Sequence, residues 1–308
     1  MVDQSLASRV SAKLLPAASK RVFPEEWMSA GDDRLQLAAI AKKRRALDGP
    51  RPDLILQRKW RRATTLIEGR ELHLLTPKGG STGRVLFYCH GGAFVVGPSS
   101  LEWLFAAKVA SALGTDLALY DYPKVPEVDA TTIRPTTLAA YRAIEKRYSP
   151  QQTVMSGLSA GGGLAVATML ALQVARSELP SSMVLFSPWL DMGVSHPDAQ
   201  RYAESDHLLP IELLRRDGAL YAGRDGLGDP LVSPLFASPE QLAALPKTVV
   251  TAGDEEILLP EAREFVEKLN EAGTPGTLVV EPYGQHAGIA GGHPEAKAAL
   301  AESIEAMR

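Results

Sequence analysis

Cysteine is almost missing from this chain: Cys89 is the only one among 308 residues. No intramolecular disulfide can form, which suits a reducing compartment. Its place inside an apolar run makes Cys89 a small core residue rather than a second nucleophile. Long hydrophobic runs are missing too, and no window approaches the ~18 consecutive apolar residues of a membrane span. Met1 to Val22 carries Arg9, Lys13, Lys20 and Arg21 and no continuous apolar stretch of the kind a secretory signal needs. Charge of one sign is not in excess. Lysine and arginine number 33 against 36 aspartates and glutamates, a net charge of -3, which gives no electrostatic case for a nucleic-acid partner. No histidines have the H-E-x-x-H spacing of a zinc site, no cysteine pair exists, and no G-x-G-x-x-G follows the first parallel-type strand. The expectation is a cytoplasmic protein with no metal, no cofactor and no membrane span.

What is present is an alternating pattern. Hydrophobic residues at 45% and charged residues at 22% are ordinary for a globular protein, and the length suits one large α/β domain or two modest ones. Residues 1 to about 50 read as amphipathic and helical, with Leu35, Leu37, Ile40 and Ala41 at helical spacing. They end at the breaker run Asp48 to Pro52. Nine basic residues between Lys42 and Arg62 read as a solvated helix face and linker, with a contact to an anionic surface as the alternative. A hairpin is expected across Gly69, pairing 64–68 with 71–76. From Val85 onward apolar strands alternate with helices. Strands are expected over 85–89, 117–122, up to 156, 183–187, 248–252 and 278–281. Helices are expected over 102–113, 136–148, 160–176, 261–272 and 295–307. That order predicts a parallel sheet covered on both faces. A polar, turn-rich insertion at about 190–230, around a helical patch from Ile211 to Tyr221, follows a strand end. Joined by the N-terminal helices, it is placed to act as a lid, with a plain packing excursion as the alternative.

The chemistry centres on Gly157-Leu158-Ser159-Ala160-Gly161-Gly162, directly after the apolar run Thr153-Val154-Met155. A serine on a tight strand-to-helix turn has the setting of a nucleophile elbow, in which flanking glycines tolerate the close approach of neighbouring backbone. The pattern is short enough that chance supplies it in roughly one chain in ten of this length, so its company decides. His90-Gly91-Gly92-Ala93-Phe94 follows the strand Val85–Cys89. Two consecutive glycines let backbone N–H groups face a substrate oxygen, and the N–H of Ala160 would complete the set. In the chain order serine, acid, histidine, the strand over 248–252 is followed by Asp254-Glu255-Glu256 and the next by Tyr283-Gly284-Gln285-His286. His286 is the candidate general base. His293, at the start of the last helix, reads as a surface or capping residue.

With Ser187-Pro188-Trp189-Leu190-Asp191 and Asp229 to Leu235 added to these motifs, the chain resembles the hormone-sensitive-lipase family of α/β-hydrolase carboxylesterases, the bacterial type-IV esterases, from about residue 64 onward. The resemblance implies a single α/β-hydrolase domain over 1–308, with cap elements at about 1–60 and 190–230 and a catalytic core at about 64–189 and 231–308. It implies hydrolysis of short- to medium-chain carboxylic esters through an acyl-enzyme. Ser159 would be the nucleophile, His286 the base, and Gly91, Gly92 and Ala160 the oxyanion donors. The acid would lie three residues beyond Gly253, at Glu256, with Asp254 and Glu255 as alternatives. Phe94, Leu158 and Trp189 would shape the substrate pocket, and the last helix and final strand would offer a homodimer edge. A lactone or amide hydrolase, or a non-catalytic small-molecule binding protein on the same fold, are the competing readings. Three departures from the family pattern bear on pocket shape. Leu158 stands where the family has an acidic or small polar residue, Asp121 to Glu127 matches only in part, and no aromatic follows His286 by two places.

Overall fold

Strands that are apolar at every position can be buried only in a sheet covered on both faces. The computed structural model, which describes residues 4–9, 25–29, 34–45 and 51–308, has that arrangement. Eight strands lie in the order β1-β2-β4-β3-β5-β6-β7-β8. β1 (Trp60–Ile67) and β2 (Arg70–Pro77) form an antiparallel hairpin, and β2 runs antiparallel to β4 (Asp116–Tyr120). β3 (Val85–Cys89), β4, β5 (Thr153–Leu158), β6 (Ser182–Phe186), β7 (Thr248–Gly253) and β8 (Gly276–Glu281) are all parallel. The expected hairpin and every expected strand are present.

Side-chain alternation divides each parallel strand between two cores. Val85, Phe87, Met155, Met183, Leu185 and Val250 face one, while Leu86, Tyr88, Val154, Val184, Phe186 and Val249 face the other. The first core is closed by α5 (Ala130–Glu145), α6 (Ala160–Val174) and α9 (Leu259–Glu271), through residues such as Tyr141, Leu164 and Phe265. The second is closed by α4 (Ser100–Leu113) and α10 (Pro294–Ala306), through Trp103, Phe105 and Leu300. Helix α5 begins six residues earlier than the spacing predicts. Asp129 caps it by accepting the Thr131 N–H, and Pro135, which reads as a breaker, is carried inside the helix.

Strand order fixes where a ligand can sit. The chain passes from β3 to its neighbour β4 and then crosses back over β3 to β5. The connections therefore diverge between β3 and β5, and a crevice opens at the carboxyl ends of those two strands. His90 and Ser159 are the residues that follow those ends.

Near the N-terminus, α1 (Glu25–Ser29) and α2 (Arg34–Arg45) are helical, and Leu37, Ile40 and Ala41 are buried as expected. The side chain of Leu35 and the breaker residues 48–50 lie outside the described residues. The basic stretch is not uniformly solvated. Arg44 is 2% exposed beside Asp217, and Arg45 donates to the carbonyls of Val95 and Val125 and to Glu127. α7 (Ile211–Ala222), the helix of the insertion, meets this segment: Trp27 Nε1 donates to Asp217 Oδ1 at 2.6 Å, and Arg216 donates to the Trp27 carbonyl. Among the described residues no helix is long and apolar enough to cross a membrane.

Candidate active site

Ser159 sits between β5 and α6 with φ 56° and ψ -125°, a conformation an L-residue adopts only when held. Its N–H donates to the Phe186 carbonyl at 2.9 Å, and its own carbonyl accepts from Gly162 at 2.8 Å and Trp189 at 3.0 Å. The glycines around it permit backbone-on-backbone contact. A Cβ on Gly157 would come within 2.1 Å of the Gly161 carbonyl oxygen, and one on Gly161 within 2.1 Å of that of Cys89. Positive φ recurs along the carboxyl edge of the sheet, at Ala93 and Phe94 after β3, Ser187 after β6, and Tyr283 and Ala287 after β8.

Three side chains from three strand ends meet here. His286 Nε2 lies 2.9 Å from Ser159 Oγ, and His286 Nδ1 lies 2.9 Å from Glu256 Oε2. The Glu256 side chain is fully buried, and its Oε1 accepts the Gly253 N–H at 3.1 Å. The two neighbouring acids point elsewhere. Asp254 Oδ1 accepts the Gly284 N–H at 3.1 Å and so ties the acid loop to the histidine loop; burial raises its carboxyl above the ordinary range, and Glu255 adds to the rise. Glu255 accepts from the Gln285 amide.

On the other side of the crevice the loop after β3 corrects one expectation. The Gly91 N–H is not open to a ligand, because it donates to Glu102 Oε1 at 2.6 Å. The next two amides, of Gly92 and Ala93, have no acceptor among the described residues. Ala93 is nonetheless buried, and orphaned amides in a buried loop are rare. The Ala160 N–H belongs to the first turn of α6, where no intrahelical carbonyl is in reach.

His90 is packed face to face on Tyr122 at 4.0 Å, and Tyr122 Oη donates to the His90 carbonyl at 2.7 Å. Burial pulls the His90 imidazole down to about 4. Burial would raise the nearby Asp121 carboxyl, yet His90 and Lys124 hold it well below the usual range.

The pocket walls are also corrected. Phe94 and Trp189 are fully buried and Leu158 nearly so. Tyr221 of α7 stacks on Phe94 with ring centroids 3.7 Å apart, and Trp189 Nε1 donates to the Asp191 carbonyl. These rings fill their own space. The cavity that reaches His286 holds about 160 Å³ and is walled by Leu101, Leu208, Tyr283, Ala287 and Ser8. A larger cleft of about 490 Å³ lies off the catalytic row, between Arg51, Arg70, His73, Trp103 and Lys124. His293 is buried rather than superficial: it caps α10 by accepting the Ala296 N–H and lies between Glu281 and Glu295.

Two contributors were not identified from sequence. Asp206, in the insertion, accepts the N–H groups of Ile257, Leu208 and Leu209 and lies near His286. Gln285 donates to the Ser205 carbonyl and accepts the His207 N–H, fastening the insertion to the residue before His286. An acid or amide in a polar loop gives no periodic signal that could have singled it out.

A parallel sheet of this order, with a serine on the central strand-to-helix turn and an acid and histidine on later strand ends, is the architecture of an α/β hydrolase. Residues 86–290 match the family described as the alpha/beta hydrolase fold. An esterase from Acinetobacter venetianus is 32% identical over 229 residues, covering 73% of this chain and 75% of its own. An acetyl-hydrolase from Streptomyces hygroscopicus is 32% identical over 197 residues, or 64% and 65% of the two chains. A solved esterase from the bacterial hormone-sensitive lipase family superposes with a TM-score of 0.78 at 27% identity, over 99% of this chain and 98% of that one. The chain belongs to the α/β-hydrolase fold family, as a carboxylic ester hydrolase of the hormone-sensitive-lipase type.

Proposed function

We propose that this esterase works through an acyl-enzyme on Ser159, with His286 as general base and Glu256 as the acid that orients it. The observation that carries the reading is the unbroken chain Ser159 Oγ, His286 Nε2, His286 Nδ1, Glu256 Oε2, each link 2.9 Å. A carboxylate can only accept, so His286 Nδ1 carries the ring proton and Nε2 is left to take the proton of the Ser159 hydroxyl. The oxygen of the serine then attacks the ester carbonyl, His286 returns the proton to the departing alkoxide, and water reverses the sequence to release the acid. The developing oxyanion is assigned to the amides of Gly92, Ala93 and Ala160, which have the unclaimed donors at the crevice.

Short- to medium-chain esters are the substrates this reading favours. The open space at His286 is small, the aromatic rings near the loop are close-packed, and one relative is an acetyl-hydrolase. The segments 34–45 and 211–222 are proposed as the cap, since Arg45 and Tyr221 pack directly on the loop that follows His90.

The test is turnover on p-nitrophenyl esters of increasing acyl length, with labelling by a fluorophosphonate. Ser159→Ala is expected to lower kcat by roughly 10⁴-fold or more and to abolish labelling. Equal rates in both proteins would sink the reading, and a maximum at long acyl chains would refute the substrate class.

A further inference from the structure

We infer that Glu102, on the first turn of α4, positions the oxyanion loop through the Gly91 N–H. The inference rests on the acyl-enzyme reading and adds to it a residue outside the serine, histidine and acid.

Glu102 is a carboxylate 6% exposed, placed between the second core and the loop after β3. Its Oε1 accepts two donors, the Gly91 N–H at 2.6 Å and Tyr88 Oη at 3.2 Å. Burial, with Glu102 alongside, pushes the Tyr88 phenol far up, so Tyr88 remains a donor. The backbone of Glu102 is itself fixed, because the Ser99 side chain caps the helix by accepting the Glu102 N–H. Gly91 is wedged between this carboxylate and the serine. A Cβ built on it would lie 3.1 Å from the Leu158 carbonyl oxygen, 3.4 Å from Ser159 Cβ and 3.5 Å from Glu102 Oε1. The position of Gly91 against Ser159 is therefore set by what holds its N–H.

Holding is needed because the next three residues are all left-handed, with φ 101° at Gly92, 52° at Ala93 and 62° at Phe94. Alanine and phenylalanine adopt that conformation only when neighbouring contacts fix it. Downstream, the Phe94 carbonyl accepts the Val125 N–H at 3.0 Å. On the carbonyl side, Tyr122 holds His90 and the His90 ring meets the Gly91 carbonyl at 2.6 Å. The Glu102 bond is the fixing contact on the amide side of Gly91. An N–H hydrogen bond of 2.6 Å accepted by a buried side-chain oxygen is short and directional. Its loss would let the Gly92 and Ala93 amides drift from the position of the oxyanion, which forms only during reaction. The cost should fall on kcat rather than on substrate binding.

Three substitutions separate this role from simple packing. Glu102→Leu is of similar size and removes the acceptor, Glu102→Asp keeps the carboxyl group but shortens the reach, and Glu102→Gln keeps an acceptor at the same place. On p-nitrophenyl butyrate, Glu102→Leu and Glu102→Asp are expected to lose roughly 10- to 100-fold in kcat with KM changed less than about threefold, somewhat under the loss of an oxyanion donor itself. Glu102→Gln should stay within about fivefold of the parent. Inhibition by an alkyl trifluoromethyl ketone, whose hemiketal oxyanion occupies the same amides, should weaken in step with kcat, whereas a structural role alone would move only the melting temperature.

If Glu102→Leu does not fold, the comparison of Glu102→Asp with Glu102→Gln decides. Full kcat in Glu102→Asp, or an equal loss in Glu102→Gln, overturns the inference. An active parent with unaffected variants removes only the role of Glu102, while an inactive parent removes the acyl-enzyme reading as well.

Discussion

The rim that carries Ser159, His286 and Glu256 is locked by backbone against backbone, whereas the segments laid over it are locked by side chains. At the rim, Gly157 packs on Gly161, Gly161 on Cys89, and Gly253 on Gly284, all at distances that leave no room for a Cβ. Over it, Trp27 of α1 and Arg44 of α2 both meet Asp217 of α7. Arg45 reaches the loops by its guanidinium, and Tyr221 lies flat on Phe94. Catalysis needs atoms placed to a fraction of an ångström, and contacts between main chains deliver that because they have no rotamers to lose. Side-chain contacts can be released and remade one at a time, which suits the cap proposed for these segments.

Short of losing Ser159 itself, the largest effect should come from Glu256, whose side chain rather than backbone meets His286. Glu256→Gln is expected to lower kcat roughly 10³- to 10⁴-fold with little change in KM, because the amide no longer fixes the proton on His286 Nδ1. Asp254→Asn, which alters a side chain tied to the backbone of the histidine loop and not to His286, should cost less than tenfold. Equal losses in the two variants would show that the acid has been assigned to the wrong residue.

Gly161→Ala tests the backbone lock itself. With no room beside the Cys89 carbonyl, the added methyl should cost about 4 kcal/mol or more of unfolding free energy, measured by urea denaturation. A loss below about 1 kcal/mol would mean that the rim yields as readily as its cover.

Trp27→Phe tests the cover. It removes the donor to Asp217, whose carboxyl burial has already raised to about 6. The variant should lose about 2 kcal/mol of stability while kcat stays within about threefold of the parent. A collapse of kcat here would break the distinction between the two regions.

The smallest effect concerns pH, at the join of linker and sheet. Arg51 only donates, so His73 Nε2, 3.1 Å away, accepts, and Nδ1–H donates to Thr64 Oγ1 at 3.0 Å. Burial first, then the Arg51 charge, pulls the imidazole from 6.5 down to about 4. The unfolded chain therefore takes up a proton below 6.5 that the folded chain refuses until about 4. Stability that is full above the unfolded value is lost as the pH falls through that window. His73→Gln should flatten the acid slope by on the order of 1 kcal/mol, read from melting temperatures between pH 7 and 4. Parallel slopes in the two proteins would assign the acid sensitivity elsewhere, with buried His90 as the other candidate.

Much of the rim was legible because its requirements are local. A serine flanked by glycines at a strand end, a Gly-Gly loop, and an acid and a histidine after the last strands each follow from what one turn of chain must do. The resemblance placed the acid at Glu256, and the structure brings that carboxylate to His286. Gly91 was misread because sequence shows which amides are unobstructed and not which are already taken. The acceptor, Glu102, stands eleven residues away and reads as an ordinary first-turn acid. Phe94 reads as a pocket wall but is covered by Tyr221, which comes from a segment whose position has no period to reveal it, while Leu158 and Trp189 are taken up by the packing of the core.

By itself, then, the sequence determined the order of strands and helices, the two-faced burial of the sheet and the chemical groups at each strand end. These depend on apolar periodicity and turn chemistry over a few residues. Only the tertiary structure decided which carbonyl, carboxylate or ring meets each of those groups. Gly91 with Glu102, Trp27 with Asp217 and Phe94 with Tyr221 each bring a side chain onto a separate element, and the physical reason is that such contacts are selected by packing after the chain has closed on itself.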